Sequence, residues 1–114
     1  PLTRHPNVTV HRVPRPFGKH FLGERLLARA GPRVAARAAG ARVVANGGNC
    51  RWPDVNWVHC VHAAYPAMTS SAWGRFVHAV HRREERPAIR AARVVVCNSR
   101  RTARDVVELL GVPA

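Results

Sequence analysis

The stretch that decides the fold is residues 41–62, ARVVANGGNCRWPDVNWVHCVH. It contains two short apolar runs, residues 41–45 and 55–61, each bounded by polar residues or glycine, and this pattern predicts two buried strands. Residues 46–48 follow the first run, and His62 follows the second. Ligands of open α/β sheets bind at the carboxyl ends of parallel strands, so we expect these two ends to meet at one functional crevice.

A third strand is predicted at residues 93–97, where RVVVC is short and β-branched, as in a strand buried on both faces. It runs into Ser99, which can cap a helix over residues 100–110 that Gly111 ends. Backbone N–H groups at the start of a helix suit an anion, although a plain helix cap is the alternative interpretation. We therefore expect Ser99 to reach the same crevice.

The amino-terminal part predicts one strand and one interrupted helix. Residues 7–13, NVTVHRV, alternate apolar and polar side chains, which is typical of a strand. Residues 17–39 carry apolar residues at helical spacing. Gly31-Pro32 divides this segment, so we expect two helical pieces that meet there, with Gly40 as the cap of the second piece.

A further helix is predicted at residues 72–85, with Trp73 and Phe76 on its inward face and a kink or restart at Pro87. The resulting element order predicts a three-layer α/β fold with a mostly parallel sheet, and 114 residues suit one domain. The link at residues 47–53 is too short for the crossover helix that parallel neighbours normally need. It is either an unusually wide connection, or the strands beside it are not neighbours.

The charge of the chain implies an anionic partner, because 19 Lys and Arg stand against 6 Asp and Glu. One helical stripe of basic residues is either a solvated face or a contact for anionic lipid headgroups or nucleic-acid phosphates; its members are Arg75, His78, Arg82, Arg86 and Arg90. Aromatic residues are few and are not interleaved with the arginines, which disfavours nucleic acid. A small basic α/β nucleic-acid-binding module remains the alternative function.

The cysteines predict no disulfide framework and no metal site. Three cysteines at irregular spacing are typical of free thiols in a reducing, cytoplasmic setting. Cys50, His59, Cys60 and His62 are close in sequence, but on a strand only Cys60 and His62 share a face. Zinc needs three or four converging ligands, and no C-x-x-C pair is present. No apolar run approaches the roughly 20 residues that span a bilayer.

Three segments carry a likeness to a known family. They are ARVVANGGNC at residues 41–50, DVNWVHCVHAAYP at 54–66, and RREERPAIRAARVVVCNSRRTARDVVELLGVP at 82–113. Together they resemble the amino-terminal domain of family 4 glycosyltransferases, which are GT-B enzymes with two Rossmann-like domains. The resemblance implies a hexosyltransferase-like enzyme that moves a sugar from a nucleotide-sugar donor to an acceptor hydroxyl, with no further cofactor.

The resemblance also implies where the site lies. The strand that ends at His62 is similar to the family's V-x-x-V-H strand, whose histidine lies at the interdomain cleft near the acceptor. This implies His62 as the catalytic residue, with His59 as its competitor for that role. Asn46, Gly47, Gly48, His59 and Ser99 are the expected substrate-binding residues. The family often has Asp after the histidine, where this chain has Ala63.

The likeness further implies that residues 1–114 form a partial, acceptor-side domain. The family's first strand and Gly-rich loop would precede Pro1, and its donor-binding domain would follow Ala114. We therefore expect the isolated chain to be inactive, and its location to be cytoplasmic or peripheral at the inner face of a membrane.

Overall fold

The structure, a computed structural model, describes residues 9–38 and 40–114. In these ranges three helices accompany three strands: α1 (His20–Arg37), β1 (Val44–Asn46), β2 (Val55–Val58), α2 (Ala72–Arg90), β3 (Val94–Cys97) and α3 (Arg100–Leu110). The strands form one sheet in the order β1-β2-β3, and both pairings are parallel. The α/β class with a parallel, Rossmann-like sheet is therefore confirmed.

The short link between β1 and β2 is a wide connection between true neighbours, which decides between the two alternatives. It contains a 3-10 turn, Gly47–Asn49, and is tied down by Asp54. The Asp54 Oδ2 atom accepts hydrogen bonds from the backbone N–H of Val43 and from Trp52 Nε1, both at 3.2 Å. These two bonds hold the pKa of Asp54 below its ordinary value and fix the connection without a crossover helix.

Helices α2 and α3 cover one face of the sheet. The core on this face consists of five buried side chains: Val58, Val61, Ile89, Val106 and Leu110. The opposite face carries apolar side chains that are 42–58% exposed, namely Val44, Trp57, Val94 and Val96. The expectation that residues 93–97 are buried on both faces is therefore wrong, because no helix of the described part covers β3 on that side.

Both prolines lie inside continuous helices, so the predicted division at Gly31-Pro32 and the predicted restart at Pro87 are wrong. Helix α1 passes through Pro32 and ends at Arg37 with Ala38 as its cap, while Gly40 lies beyond the helix end. Helix α2 passes through Pro87. A proline removes one N–H donor at a cost of about 3 kcal/mol, and the packing around it can offset that cost. In α2 the compensating residues are Glu85, Ala88 and Ile89, which are buried around Pro87.

Two further expectations differ from the structure. Residues 9–13 form no strand, and residues 7–8 of that predicted segment lie outside the described residues. Trp73 and Phe76 remain 58% and 53% exposed, because they pack edgewise on Phe21 of α1 instead of against the sheet. The last helix agrees with its prediction: Ser99 caps α3, and Gly111 ends it with a left-handed φ of 63°.

Candidate functional site

A small cleft of about 50 Å³ lies between α1, α2 and the turn that follows β1. Its polar lining comes from sequence segments far apart in the chain, including Glu24, Gly48, Asn49, His62, His81 and Glu85. His62 opens a second 3-10 turn, His62–Ala64, a few residues beyond the carboxyl end of β2. The cleft therefore lies at the sheet edge where functional crevices of parallel sheets form.

The centre of the cleft is a carboxylate bound to a histidine. The Glu85 side chain is only 2% exposed. Its Oε2 atom accepts a hydrogen bond from the His62 backbone N–H at 2.7 Å and forms a second hydrogen bond with His62 Nδ1 at 3.0 Å. Its Oε1 atom accepts a third bond, from the Ala63 backbone N–H, at 2.9 Å. These three hydrogen bonds compensate the carboxylate for its burial, which is the condition for keeping a charge out of water.

The environment of His62 favours its charged form. The hydrogen bond to Glu85 raises the pKa of His62 above its ordinary value, burial opposes this, and the negative charges of Glu85 and Glu24 add to the rise. The His62 side chain is 39% exposed and lines the cleft. Among the described residues no hydrogen-bond partner occupies Nε2. His62 can therefore present one free ring nitrogen to a ligand.

Gly48 and Asn56, in the β1–β2 region, allow α2 to pack close enough for Glu85 to contact His62. Gly48 faces the α2 backbone at Glu85, where a Cβ atom would meet Glu85 Cα at 3.2 Å. Asn56 is fully buried on β2, and its Nδ2 atom donates to the Gly47 carbonyl oxygen at 2.9 Å. Gly47 itself has a positive φ of 56°. The close approach that Gly48 permits is thus to helix α2.

A second histidine–carboxylate contact lies at the α1 side of the cleft. Glu24 Oε2 is 3.1 Å from His81 Nε2, and Glu24 Oε1 is 3.3 Å from His20 Nδ1. The rings of His62 and His81 are 5.1 Å apart in an edge-to-face arrangement. The cleft therefore combines two carboxylates with adjacent imidazoles, a set that can bind hydroxyl groups and anions.

The competing histidine occupies a different place. The His59 ring stacks on Trp57 at 5.6 Å, and both residues are exposed. Its carbonyl oxygen is 3.3 Å from the Thr102 hydroxyl at the start of α3. Of the two candidates, only His62 lines the cleft with Glu85.

The other expected site residues reach the same sheet edge but not the same cleft. Asn46 ends β1, pairs in register with Trp57 and is exposed. Ser99 follows β3, and its Oγ accepts the Thr102 N–H at 3.1 Å, which is the bond of a helix cap. Because the strands are parallel, both residues lie at the carboxyl edge, as the sequence predicts. Only Gly48 and His62 of the predicted set line the cleft.

Glu24, His81 and Glu85 were missed by sequence reasoning. Glu85 lies in the run RREERP, which has the pattern of a solvated helix face. Its hydrogen-bond partner His62 is 23 residues away, and no local spacing signals that contact. The one available signal was the helical phase that Glu85 shares with the buried Ala88 and Ile89.

The three cysteines do not line this cleft. Cys50, Cys60 and Cys97 are free thiols, and burial raises the pKa of Cys50 and of Cys97. Within residues 9–38 and 40–114, no three His, Cys, Asp or Glu side chains are grouped as metal ligands. Across the same ranges, none of the helices has the length and apolarity needed to cross a bilayer.

Comparison with known proteins identifies the family. The sequence profile described as Glycosyltransferase Family 4 matches residues 1–114. No curated protein and no solved structure matches the chain significantly. The match covers the whole sequence, including the segments that form the sheet edge and the His62–Glu85 pair. The chain therefore belongs to glycosyltransferase family 4.

Proposed function

We propose that this chain is the acceptor-side domain of a transferase that moves a hexose from a nucleotide-sugar donor to an acceptor hydroxyl. Family membership supports the transfer of a sugar. The single observation that carries the choice of site is the His62–Glu85 pair at the carboxyl edge of the parallel sheet. The nucleotide sugar is a substrate in this proposal, and no further cofactor is required.

In this proposal His62 is the catalytic residue. Its raised pKa increases the fraction of imidazolium near neutral pH, so Nε2–H donates to a substrate phosphate or hydroxyl oxygen. A donor held in advance at a position where negative charge develops stabilises the transition state more than it stabilises the substrate. The donor nucleotide is bound by a second domain, and the acceptor lies in the cleft beside His62.

The proposal is tested with a panel of nucleotide sugars and candidate acceptors. The 114-residue chain and the chain extended by a donor-binding domain are each incubated with labelled donor, and the glycosylated product is detected by mass spectrometry. We expect product from the extended chain and none from the 114-residue chain. Product from the 114-residue chain, or hydrolysis of nucleic acid or protein instead of sugar transfer, would contradict the proposal.

We also propose that α2 contacts the anionic cytoplasmic surface of a membrane. Five arginines on this helix are exposed: Arg83, and the four of the basic stripe, Arg75, Arg82, Arg86 and Arg90. Arg86 is partly engaged, since its Nε donates to the Leu110 carbonyl oxygen at 3.1 Å. Arg75 is also engaged, because its Nη1 donates to the Ser70 carbonyl oxygen. Each basic residue near an anionic bilayer contributes about 1 kcal/mol.

Vesicle sedimentation tests this contact. Replacing Arg75, Arg82 and Arg90 with Gln is expected to weaken binding to phosphatidylglycerol vesicles ~100-fold, because three such contributions are lost. The matched control replaces three exposed arginines of α1, Arg29, Arg33 and Arg37, and so removes the same charge. Equal loss in both variants would show attraction by net charge alone. Stronger binding to single-stranded DNA than to vesicles would favour the nucleic-acid alternative.

A further inference from the structure

Both carboxylate oxygens of Glu85 form hydrogen bonds with nitrogen atoms of His62 and Ala63. Oε2 accepts from the His62 backbone N–H, and Oε1 accepts from the Ala63 backbone N–H. Two backbone bonds already fix the start of the turn. The third contact, from His62 Nδ1 at 3.0 Å, therefore acts on the ring and not on the chain path. Since an ionised carboxylate only accepts hydrogen bonds, Nδ1 carries a proton.

We infer that Glu85 is a positioning residue that holds His62 as the Nδ1–H tautomer, so that Nε2 is the one ring nitrogen offered to substrate. The catalytic meaning of this inference rests on the proposed function, whereas the tautomer itself does not. A neutral imidazole held in this way accepts a hydrogen bond from a hydroxyl at Nε2. When protonated, it donates from the same atom to a phosphate oxygen.

The other groups near His62 do not fix the tautomer of its ring, because they form no hydrogen bond with it in the described part of the chain. His62 lines this cleft and a neighbouring pocket, and the charged and titratable groups that line them with it come from α1, from α2 and from its own segment: Glu24, Arg25, His78, His81, Glu84, Glu85, Cys60 and Tyr65. The His78 and His81 rings lie 6.0 and 5.1 Å away and make edge-to-face contacts. Glu24 acts on His62 through its charge, since its oxygens contact His20 and His81. Among the residues that the structure describes, only Glu85 forms a hydrogen bond with the ring.

Because Glu85 is buried, it restricts the orientation of the His62 ring. At 2% exposure its carboxylate has no bulk water as an alternative partner, so rotation of the His62 ring would leave Oε2 with one donor fewer. A carboxylate behind an imidazole is a recurrent way to fix its tautomer and orientation. The arrangement thus predefines which nitrogen faces the cleft before any ligand binds.

Nuclear magnetic resonance of the chain labelled with ¹⁵N and ¹³C at histidine tests the inference. In the wild type we expect neutral His62 to show the Nδ1–H pattern of ring nitrogen shifts and to titrate above the ordinary histidine pKa. Glu85→Gln, which keeps the side-chain shape and removes the charge, is expected to lower that pKa and to abolish the tautomer preference. Glu24→Gln is the matched control, with a smaller fall in pKa and an unchanged tautomer.

An Nε2–H tautomer of neutral His62 in the wild type would overturn the inference, and this result needs no variant to fold. Unchanged titration and tautomer in Glu85→Gln would overturn it as well. The proposed function fails separately: if the extended enzyme keeps its kcat after His62→Ala while the tautomer is as expected, the positioning stands and the catalytic role does not.

Discussion

A Cβ atom on Gly48 would lie 3.2 Å from the Cα atom and 3.3 Å from the Cβ atom of Glu85. The neighbouring atoms belong to the backbone and first side-chain carbon of Glu85, which would have to shift by a few tenths of an ångström to admit a side chain. The absence of a side chain at residue 48 is thus what allows α2 to place the Glu85 carboxylate beside His62. The cleft depends on this one close contact between a loop and a helix.

Gly48→Ala is therefore expected to destabilise the chain by about 1–3 kcal/mol through overpacking. Urea denaturation followed by tryptophan fluorescence measures the loss. Gly31→Ala is the matched control, because a Cβ atom there meets only the Cys50 side chain, with Sγ at 3.1 Å, and alanine favours the helix by up to about 1 kcal/mol. Equal stability of Gly48→Ala and the wild type would contradict the role of this contact.

Removing the buried carboxylate of Glu85 is expected to reduce stability at least as much as overpacking at residue 48. Glu85→Ala leaves two backbone N–H groups and the His62 ring without their acceptor, and we expect a loss of about 3 kcal/mol in the free energy of unfolding. The neighbouring Glu84 pairs with Arg25 and is much more exposed, so Glu84→Ala is expected to cost at most about 1 kcal/mol. Similar losses in the two variants would show that Glu85 acts as an ordinary surface charge.

The pH dependence of stability has a definite sign. The pKa of His62 is raised in the folded chain above the reference value of 6.5, because its bond to Glu85 favours the protonated ring. The stability from this pair is therefore fully present below pH 6.5 and is lost as the pH rises through the folded-state pKa. Denaturation between pH 5.5 and 8.5 should show a wild-type advantage over Glu85→Gln that shrinks toward alkaline pH. An advantage that grows would contradict the pairing.

The start of α3 is fixed to the end of β2 by one hydroxyl. Thr102 is 6% exposed, and its Oγ1 lies 3.3 Å from the His59 carbonyl oxygen and 2.9 Å from Asn98 Oδ1. Thr102→Val keeps the shape and is expected to cost about 1 kcal/mol, because the hydrogen bond of a partly buried hydroxyl is lost. Thr102→Ser restores the hydroxyl and should recover most of that loss in thermal unfolding. Equal thermal stability of Thr102→Val and Thr102→Ser would contradict this role of the hydroxyl.

The sheet was predictable because its information is local. The runs around Val44, Val55 and Val94 are short, apolar and bounded by turn residues, so the three strands and a mostly parallel sheet follow from the pattern. The pattern left open whether β1 and β2 are neighbours, and the structure shows that they are. The strand ends were less well placed, since β2 ends at Val58 and not at residue 61. The turn that follows is held by Glu85, and a side chain distant in sequence cannot be read from strand periodicity.

The two prolines and the lining of the cleft also could not be predicted from local sequence pattern, because both depend on tertiary packing. Pro32 and Pro87 look like helix breaks by local preference, but packing of the flanking residues keeps both helices continuous. His62 was identified through its family motif, whereas Glu24, His81 and Glu85 become site residues only when α1 and α2 pack together. Local rules therefore identify where a crevice forms, and tertiary contacts decide which side chains line it.

The most direct test of the account is kcat for the extended enzyme with His62→Ala. We expect a fall of ~100-fold or more, in the range lost when one positioned proton donor is removed. His11→Ala, which removes an exposed histidine outside the cleft, is expected to leave kcat unchanged. An unchanged kcat in His62→Ala would contradict the assignment of His62 as the catalytic residue. A fall of this size in His59→Ala and not in His62→Ala would assign the role to His59 instead.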